Sequence, residues 1–364
     1  MTLRTSQARR PRGIVKINGT PVSFLSASID SKSHFAADTW RVKLEAWNQP
    51  EGFGMAFWGD AVDVQVEILF GTLLPGADAG AQPASPTLLL AGQVDDVEID
   101  PLDGDSLLIS GRDLAGQLID RKTTNKYPDH VSSWIATQIA TQFGLTPQVS
   151  ATATPVGQYY KDAYSAIGRD ISYWDLLVHL AEQEDFDLYV SGSTLYFGPP
   201  QADGDNNPLI ITVAGGNQAI VQSNVNRIKL HRSLTIAKDV TVTVLSHGVH
   251  AGKAIKAVAS RSGNGKSGGA LHYKFNRPNL SQQQAQNFAD SKLANITKFE
   301  RTFDATMEGD PLLTVRNKAL IQGTQTSFDQ AYYIQQITRS LDMEGGFVMN
   351  IQGKNTSTEA APAD

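Results

Sequence analysis

From Ile14 to Ile109 apolar and polar residues alternate in short runs, IVKING, PVSFLSASID, WRVKLEAW, DAVDVQVEILFG, LLLAGQVDDVEID and SLLISG, separated by Gly, Pro and Asn. A period of two is the mark of strands with one buried face. It is clearest at Val62, Val64, Val66 and Ile68, which are expected to point inward together. PLDGD carries an Asp-Gly pair suited to a tight hairpin turn, and LLPGADAGAQPASP reads as a loop inserted between strands. Residues 14–112 thus predict a small β-barrel or sandwich.

The period then changes. Asp113 can cap a short helical turn, and Asp129 can cap VSSWIATQIATQF, whose Val131, Trp134, Ile135, Ile139 and Phe143 share one helical face before Gly144. A second helix, SYWDLLVHLAEQE, starts at Ser172 and runs into two strands, FDLYV and TLYFG, around a Ser-Gly-Ser turn. PPQADGDNNP closes this unit, so 113–207 predicts a compact α+β module.

Strands return in LIITVAG, RIKLHRS and DVTVTVLSH, and the pattern breaks near residue 247 into Gly- and Ser-rich text. A helix begins at Ser281, where S-Q-Q-Q is a capping box and Ala285, Phe288, Ala289, Leu293 and Ile296 form the buried stripe. FDATMEG, LLTVRNKALIQG, YYIQQITRSL and FVMNIQG complete a second β region. The domain expectation is a basic arm (1–13), barrel I (14–112), the module (113–207), barrel II (208–246 and 300–354), an insertion (247–299) and a polar tail (355–364).

The two β regions align. VDDVEIDPLDG matches IQQITRSLDMEG, pairing Val94 with Ile334 and Val97 with Ile337, and the next strands end in SGRD and QGKN. Gly59-Asp60 and Gly309-Asp310 precede the two sets. Order, spacing and terminal motif together favour internal duplication over the alternation that any two hairpins share. On this reading Gly111 and Gly353 supply a backbone conformation closed to other residues, while Asp113 and Asn355 cap the segments after them.

Composition narrows the class. The 364 residues are too many for one ordinary core, and 41% apolar with 19% charged is a globular balance. No apolar run approaches a membrane span or a secretory signal, so a soluble protein is expected. Zero cysteines exclude disulfides and thiolate chemistry, and a formal charge of −6 weighs against a dedicated nucleic-acid binder.

Catalytic signals are weak. The His pair in HGVH lies three residues apart in a strand, on opposite faces, with no carboxylate to complete a metal shell. SRSGNGKSGG nearly spells a phosphate loop, but Ser260 stands where the first Gly belongs. Asp95 and Asp96 should point to opposite faces of a strand, and Asp100, Asp103 and Asp105 miss the calcium-loop spacing. Glu182, Glu184, Asp185 and Asp187 could suggest a carboxylate pair, with no cleft inferable around them. No catalytic residue, metal site or cofactor is expected. WNQPEGFGMAFWGD is different, because Trp47, Phe53, Met55, Phe57 and Trp58 in a Gly-rich connection suit a protein interface. The other reading folds them over the barrel mouth as core.

SGRDLAGQLID, WDLLVHLAEQEDFDLYVSGSTLYFGPP, EGDPLLTVRNKALIQG and YYIQQITRSLDMEGGFVMNIQG, taken in this order, resemble the baseplate hub proteins of contractile-tailed phages, the family of the T4 hub, the Mu-type hub and the late control protein D group. The resemblance implies two tail-tube-like β-barrels with the α+β module between them and a Gly-rich, helical insertion in the second. It implies a homotrimer whose six similar barrels join a hexameric tail tube protein to a trimeric spike protein. Tape measure and baseplate wedge proteins are further implied partners, and DNA would pass without specific binding. The implied place is the virion tail baseplate, of a phage or a tailocin, after synthesis in the host cytoplasm. Because the sequence holds no β-helical repeat, spike and wall-degrading enzyme are expected as separate proteins. The alternative is a carbohydrate- or cell-wall-binding β module.

Overall fold

The computed structural model describes residues 10–33, 35–45, 48–73, 86–100, 106–125, 127, 130–153, 171–200, 208–214, 222–247, 254–262, 271–277, 280 and 282–356. The first β region forms β1 (Arg10–Ile17), β2 (Thr20–Val22), β3 (Phe24–Lys32) and β4 (Thr39–Glu45). Helix α1 (Met55–Asp60) precedes β5 (Gln65–Leu73), β6 (Thr87–Ile99) and β7 (Ser106–Asp113). Asn18 and Gly19, both at positive φ, turn β1 into β2 as a tight hairpin requires. Val15, Ile17, Ile29, Val42, Leu44, Val66, Ile68 and Ile109 fill the core on one side of these strands.

Two expectations change here. Val64, Val66 and Ile68 are buried, but Val62 is 82% exposed, because Asp63 takes a left-handed φ of 54° and the strand begins only at Gln65. The basic arm is shorter than predicted, since residues 10–12 already pair with Gly71–Leu73 in β5.

The module contains α2 (Gly116–Asp120), β8 (Lys122–Thr123), α3 (Ser132–Gln142) and β9 (Thr146–Val149). It continues with β10 (Ile171–Ser172), α4 (Tyr173–Glu184), β11 (Asp187–Ser191) and β12 (Thr194–Gly198). Ser172 caps α4 by accepting the Asp175 N–H at 3.0 Å, and Asp185 ends it at φ 56°. Ile135, Ile139 and Phe143 of the predicted α3 face are buried with Leu177, Leu180, Leu195 and Phe197. Trp134 is not; it is 40% exposed and stacks on His130 at 3.7 Å, because the packed row runs through Ile135, Ala136, Ile139 and Ala140. Val131 occupies the cap of α3, and Asp129, expected there, lies outside the described residues.

The last part forms β13 (Leu209–Ala214), β14 (Gln222–Ser223), β15 (Arg227–Arg232), β16 (Val240–Ser246), β17 (Ile255–Arg261) and β18 (Leu271–Asn276). Helix α5 (Gln282–Thr297) leads to β19 (Arg301–Glu308), β20 (Lys318–Gln322), β21 (Ala331–Asp342) and β22 (Gly346–Asn355). Ser281, the expected cap of α5, is outside the described residues. Strand β16 is expected in barrel II, yet among the described residues it pairs only with β17 and β18, and this three-stranded sheet packs on Ala285 and Ala289 of α5. The insertion therefore starts after Arg232, at the end of β15, not at residue 247.

Fourteen strands belong to one sheet, ordered β14-β13-β20-β21-β3-β4-β7-β6-β5-β1-β2, with β22, β19 and β15 branching from β21. Among the described residues no barrel closes, and β3 pairs with β21 to run the two expected barrel regions together. Within each half the order repeats. The path β1-β5-β6-β7-β4-β3 in the first corresponds to β13-β20-β21-β22-β19-β15 in the second. One link differs, since β1 and β5 are antiparallel while β13 and β20 are parallel.

The match extends to single residues. A β-bulge interrupts the β6–β7 register between Val94 and Asp96, and another interrupts β21–β22 between Ile334 and Gln336. Gly111 pairs with Val94 and Gly353 with Ile334, so each terminal-motif glycine faces a bulge. Neither has a positive φ, and the expected special conformation is replaced by close approach. A Cβ on Gly111 would lie 2.0 Å from the Gln93 carbonyl oxygen, and one on Gly353 would lie 2.2 Å from the Phe303 ring. Asp113 does cap the next turn, accepting the Ala115 N–H at 3.0 Å. Asn355 instead accepts the Arg301 N–H at the start of β19, tying its strand sideways.

Candidate assembly site

The seam between the halves is built by seven residue pairs, from Gln336↔Lys32 to Asp342↔Ser26. Side chains reinforce the backbone ladder, because Asp30 accepts from the Gln336 amide at 2.5 Å and the Thr338 hydroxyl at 2.9 Å. The cores also merge at this seam. Leu341 and Phe347 of the second half lie in the first half's core, and Phe347 stacks on Phe70 with centroids 4.6 Å apart. Prising the halves apart would therefore expose apolar surface as well as strand edges.

Alternation leaves the opposite side of this sheet polar. A groove of about 380 Å³ runs across it, lined by Ser28, Asp30, Thr39, Arg41, Asp95, Asp96, Ser110, Arg112 and Thr338. The bulge places both Asp95 and Asp96 along this groove, where unbroken alternation predicts opposite faces. Arg112 donates to Asp95 at 2.6 and 3.0 Å and to Asp120 at 2.7 and 2.9 Å. Hydrogen bonds to Asp95 and then Asp120 raise the Arg112 pKa, and the same contact lowers that of Asp120. Acids and bases are thus interspersed along the groove.

Where the first half meets the module, buried charges cluster. Asp113 is 7% exposed, and its N–H donates to the Asp38 carbonyl at 2.9 Å. Its carboxyl is pushed up to about 8, first by burial and then by the Asp38 charge. Burial raises Asp38 as well. Arg339, on β21, is lowered to about 10 by burial, and its guanidinium donates to the carbonyls of Leu313 and Asp310. Arg316 lies 3.0 Å from the centroid of the Tyr189 ring, which links the second half to the module.

The insertion has its own buried cluster. Glu300 is fully buried and contacts Arg232 at 3.2 Å, Arg261 at 3.0 Å and Arg301 at 3.2 Å. Three elements, β15, β17 and β19, converge on that carboxylate. Sequence reading missed both clusters, because their members are scattered along the chain and only the fold brings them together. Gly309 is one residue whose role was visible only in part: it lies against the Phe347 ring, whereas Gly59 faces open space within α1.

The predicted aromatic stretch forms α1 over one end of the first core. Trp58 is 4% exposed, and the partly buried Phe57 makes edge contacts with Trp58 at 5.0 Å and with Phe53 at 5.1 Å. Met55 is half-buried, and Trp47 lies outside the described residues. The Trp58 Nε1 has no acceptor among the described residues.

Of the candidate chemical groups, Glu184 accepts the Ser132 hydroxyl at 2.7 Å and Glu182 lies 3.8 Å from Lys292. Residues 248–250 of HGVH and 263–269 of the Gly-rich loop are outside the described residues, as are Asp103 and Asp105. Among the described residues no three His, Cys, Asp or Glu side chains gather as a metal set, and no helix is long and apolar enough to cross a membrane.

Solved structures share this architecture over nearly its whole length. The tail protein from Neisseria meningitidis MC58 superposes with a TM-score of 0.70 at 15% identity, covering 95% of this chain and 97% of its own. The chain has a phage tail-protein fold. The 43 kDa tail protein of prophage MuSo2 from Shewanella oneidensis gives a TM-score of 0.64 at 14% identity, over 95% of this chain and 97% of that one. The E. coli c3393 protein, a type VI secretion component with structural similarity to the T4 tail proteins gp27 and gp5, gives 0.52 at 10% identity, over 96% and 79%. No protein-family profile matches the tail-fold chain, and no curated protein matches its sequence.

Proposed function

We propose that this protein is a structural baseplate hub of a contractile tail, a homotrimeric ring joining a hexameric tail tube to a trimeric spike. The observation that carries the reading is the repeated strand order of the two halves, with matching bulges at Asp95 and Gln335, inside one continuous sheet. An ancestral domain copied within one chain gives three chains six similar faces. The ring then offers a sixfold pattern on one side while keeping true threefold symmetry for the spike.

The four-strand rows β3-β4-β7-β6 and β15-β19-β22-β21 supply the wall. Three copies contribute about 24 strands, and at ~4.8 Å per strand their ring is roughly 37 Å across at the backbone before tilt widens it. That leaves room for a DNA duplex. The mixed charges of the polar face suit a conduit, because a wall without a continuous basic stripe lacks the phosphate contacts that give non-specific grip. Met55 and the exposed edge of Phe57 are proposed contacts to tube or spike, and the role requires no catalytic group or cofactor. The proposal places the protein in the virion baseplate.

Native mass measurement of the purified chain, with images of the ring and of the tail particle, tests the reading. A three-chain ring at the tube–spike junction is expected. A chain that stays monomeric and never joins a tail overturns it.

A further inference from the structure

The seam inside one chain defines a rule for joining halves. Strand β3, the outer strand of the first four-strand row, adds to the C-terminal part of β21, whose N-terminal part is already taken by β20. By the strand correspondence β15 is the counterpart of β3, and β6 is the counterpart of β21. Strand β6 uses residues 87–93 for β5, and beyond Gln93 no strand adjoins that edge among the described residues. Strand β15 pairs only with β19 there, so its outer edge is likewise without a strand. The chain thus ends in two complementary halves of the joint it makes internally.

We infer that β15 of one copy adds antiparallel to the C-terminal part of β6 in the next copy, repeating between chains the β3–β21 seam within one. This inference rests on the ring reading and names its contact. The register is set by the internal pairs. Leu341↔Ala27 to Ile337↔Ser31 fix the seam, Gly111 and Gly353 align β7 with β22, and Trp40 and Phe303 then align β4 with β19. Transfer of that alignment sets Glu98 opposite His231, Ile99 opposite Leu230 and Asp100 opposite Lys229.

Charge supports this pairing over a self-paired edge. The outward positions of the β6 end are Asp96, Glu98 and Asp100, whereas those of β15 are Arg227, Lys229 and His231. Joining β6 to a second β6 would face acids with acids; joining it to β15 in this register sets Asp100 against Lys229 and Glu98 against His231. Burial agrees. Val97 is 38% exposed, whereas its counterpart Ile337, which lies opposite Ser31 of β3, is fully buried in the second half's core. A head-to-tail contact of this kind generates a closed ring when its rotation returns to the start, and it covers the bare edges of β6 and β15 that would otherwise invite uncontrolled pairing.

The absence of natural cysteine makes a clean test possible. In the full chain carrying both Glu98→Cys and His231→Cys, cross-strand spacing of about 4.5–5.5 Å lies within disulfide range. Mild oxidation should give covalent dimers and trimers that disappear on reduction. Each single variant, and a Glu98→Cys, Leu230→Cys pair shifted by one residue onto opposite faces, should stay uncrosslinked. Lys229→Glu should shift the mass distribution toward monomer, and adding Asp100→Lys should restore the ring, which a purely internal role for either residue would not do. Trimers by mass with no crosslink in the double variant overturn the strand joint and leave the ring reading standing. A chain that is monomeric by mass overturns both.

Discussion

Changing Asp113 to Asn copies into the first half the residue that the second half already carries at Asn355. The wild-type carboxyl is 7% exposed and its pKa is pushed up to about 8 from an ordinary 3.8, chiefly by burial and then by Asp38. Between these two values the folded chain keeps a proton that the unfolded chain releases. The unfolded state then binds fewer protons, so stability attached to this group is complete below about pH 4 and is lost as the pH climbs toward 8. At ~1.4 kcal/mol per unit, the three units up to pH 7 set a ceiling of roughly 4 kcal/mol. Asp38 shares the field and the new amide needs an acceptor, which reduces the expected gain to ~2–4 kcal/mol. Asn keeps an oxygen for the Ala115 N–H, so the turn into α2 survives. Urea unfolding of both proteins from pH 4 to pH 9 reads the effect as a difference curve. The advantage of the variant should rise through pH 4–8 and then level, whatever its offset at pH 4. A flat or falling difference would refute the account of two carboxyls crowded in one buried place.

Removing the carboxylate with Glu300→Ala leaves Arg232, Arg261 and Arg301 without their shared acid, and a loss of ~3–5 kcal/mol in denaturant unfolding is expected. Gly111→Ala should lower the melting temperature more than Gly353→Ala, because the first methyl meets the backbone of β6 and the second meets a phenyl ring that can turn. Trp58→Ala should cost ~3–5 kcal/mol by opening a cavity under α1. Met55→Ala should leave the melting temperature nearly unchanged while weakening co-sedimentation with tail-tube or spike protein; unchanged co-sedimentation removes Met55 from the proposed contact.

What the sequence revealed, and what it hid, divides by the range of the interaction. Alternation in Val64, Val66 and Ile68, the helix start at Ser172 and the stripe through Ala285 and Ala289 are local signals, and each found its place. Val62 and Trp134 failed because period alone does not say where a strand starts or how wide a helix's packed row is. The glycine in SGRD and QGKN stands out in the sequence for the wrong reason. For Gly111 the need comes from a neighbouring strand that bulges against it and for Gly353 from the Phe303 ring on the strand beside it, long-range facts that no adjacent residue records. The assignment of β16 failed similarly, since VTVTVLS alternates perfectly and only its partners, β17 and β18, place it outside the main sheet. Most telling is the seam between β3 and β21. Nothing in ASID or ITRSL marks them as partners, although Gln336 and Thr338 both donate to Asp30 there. Repetition in a sequence can thus announce that two halves are alike without saying how they join. The joint itself has to be read from its one occupied edge, where β3 adds to the C-terminal part of β21.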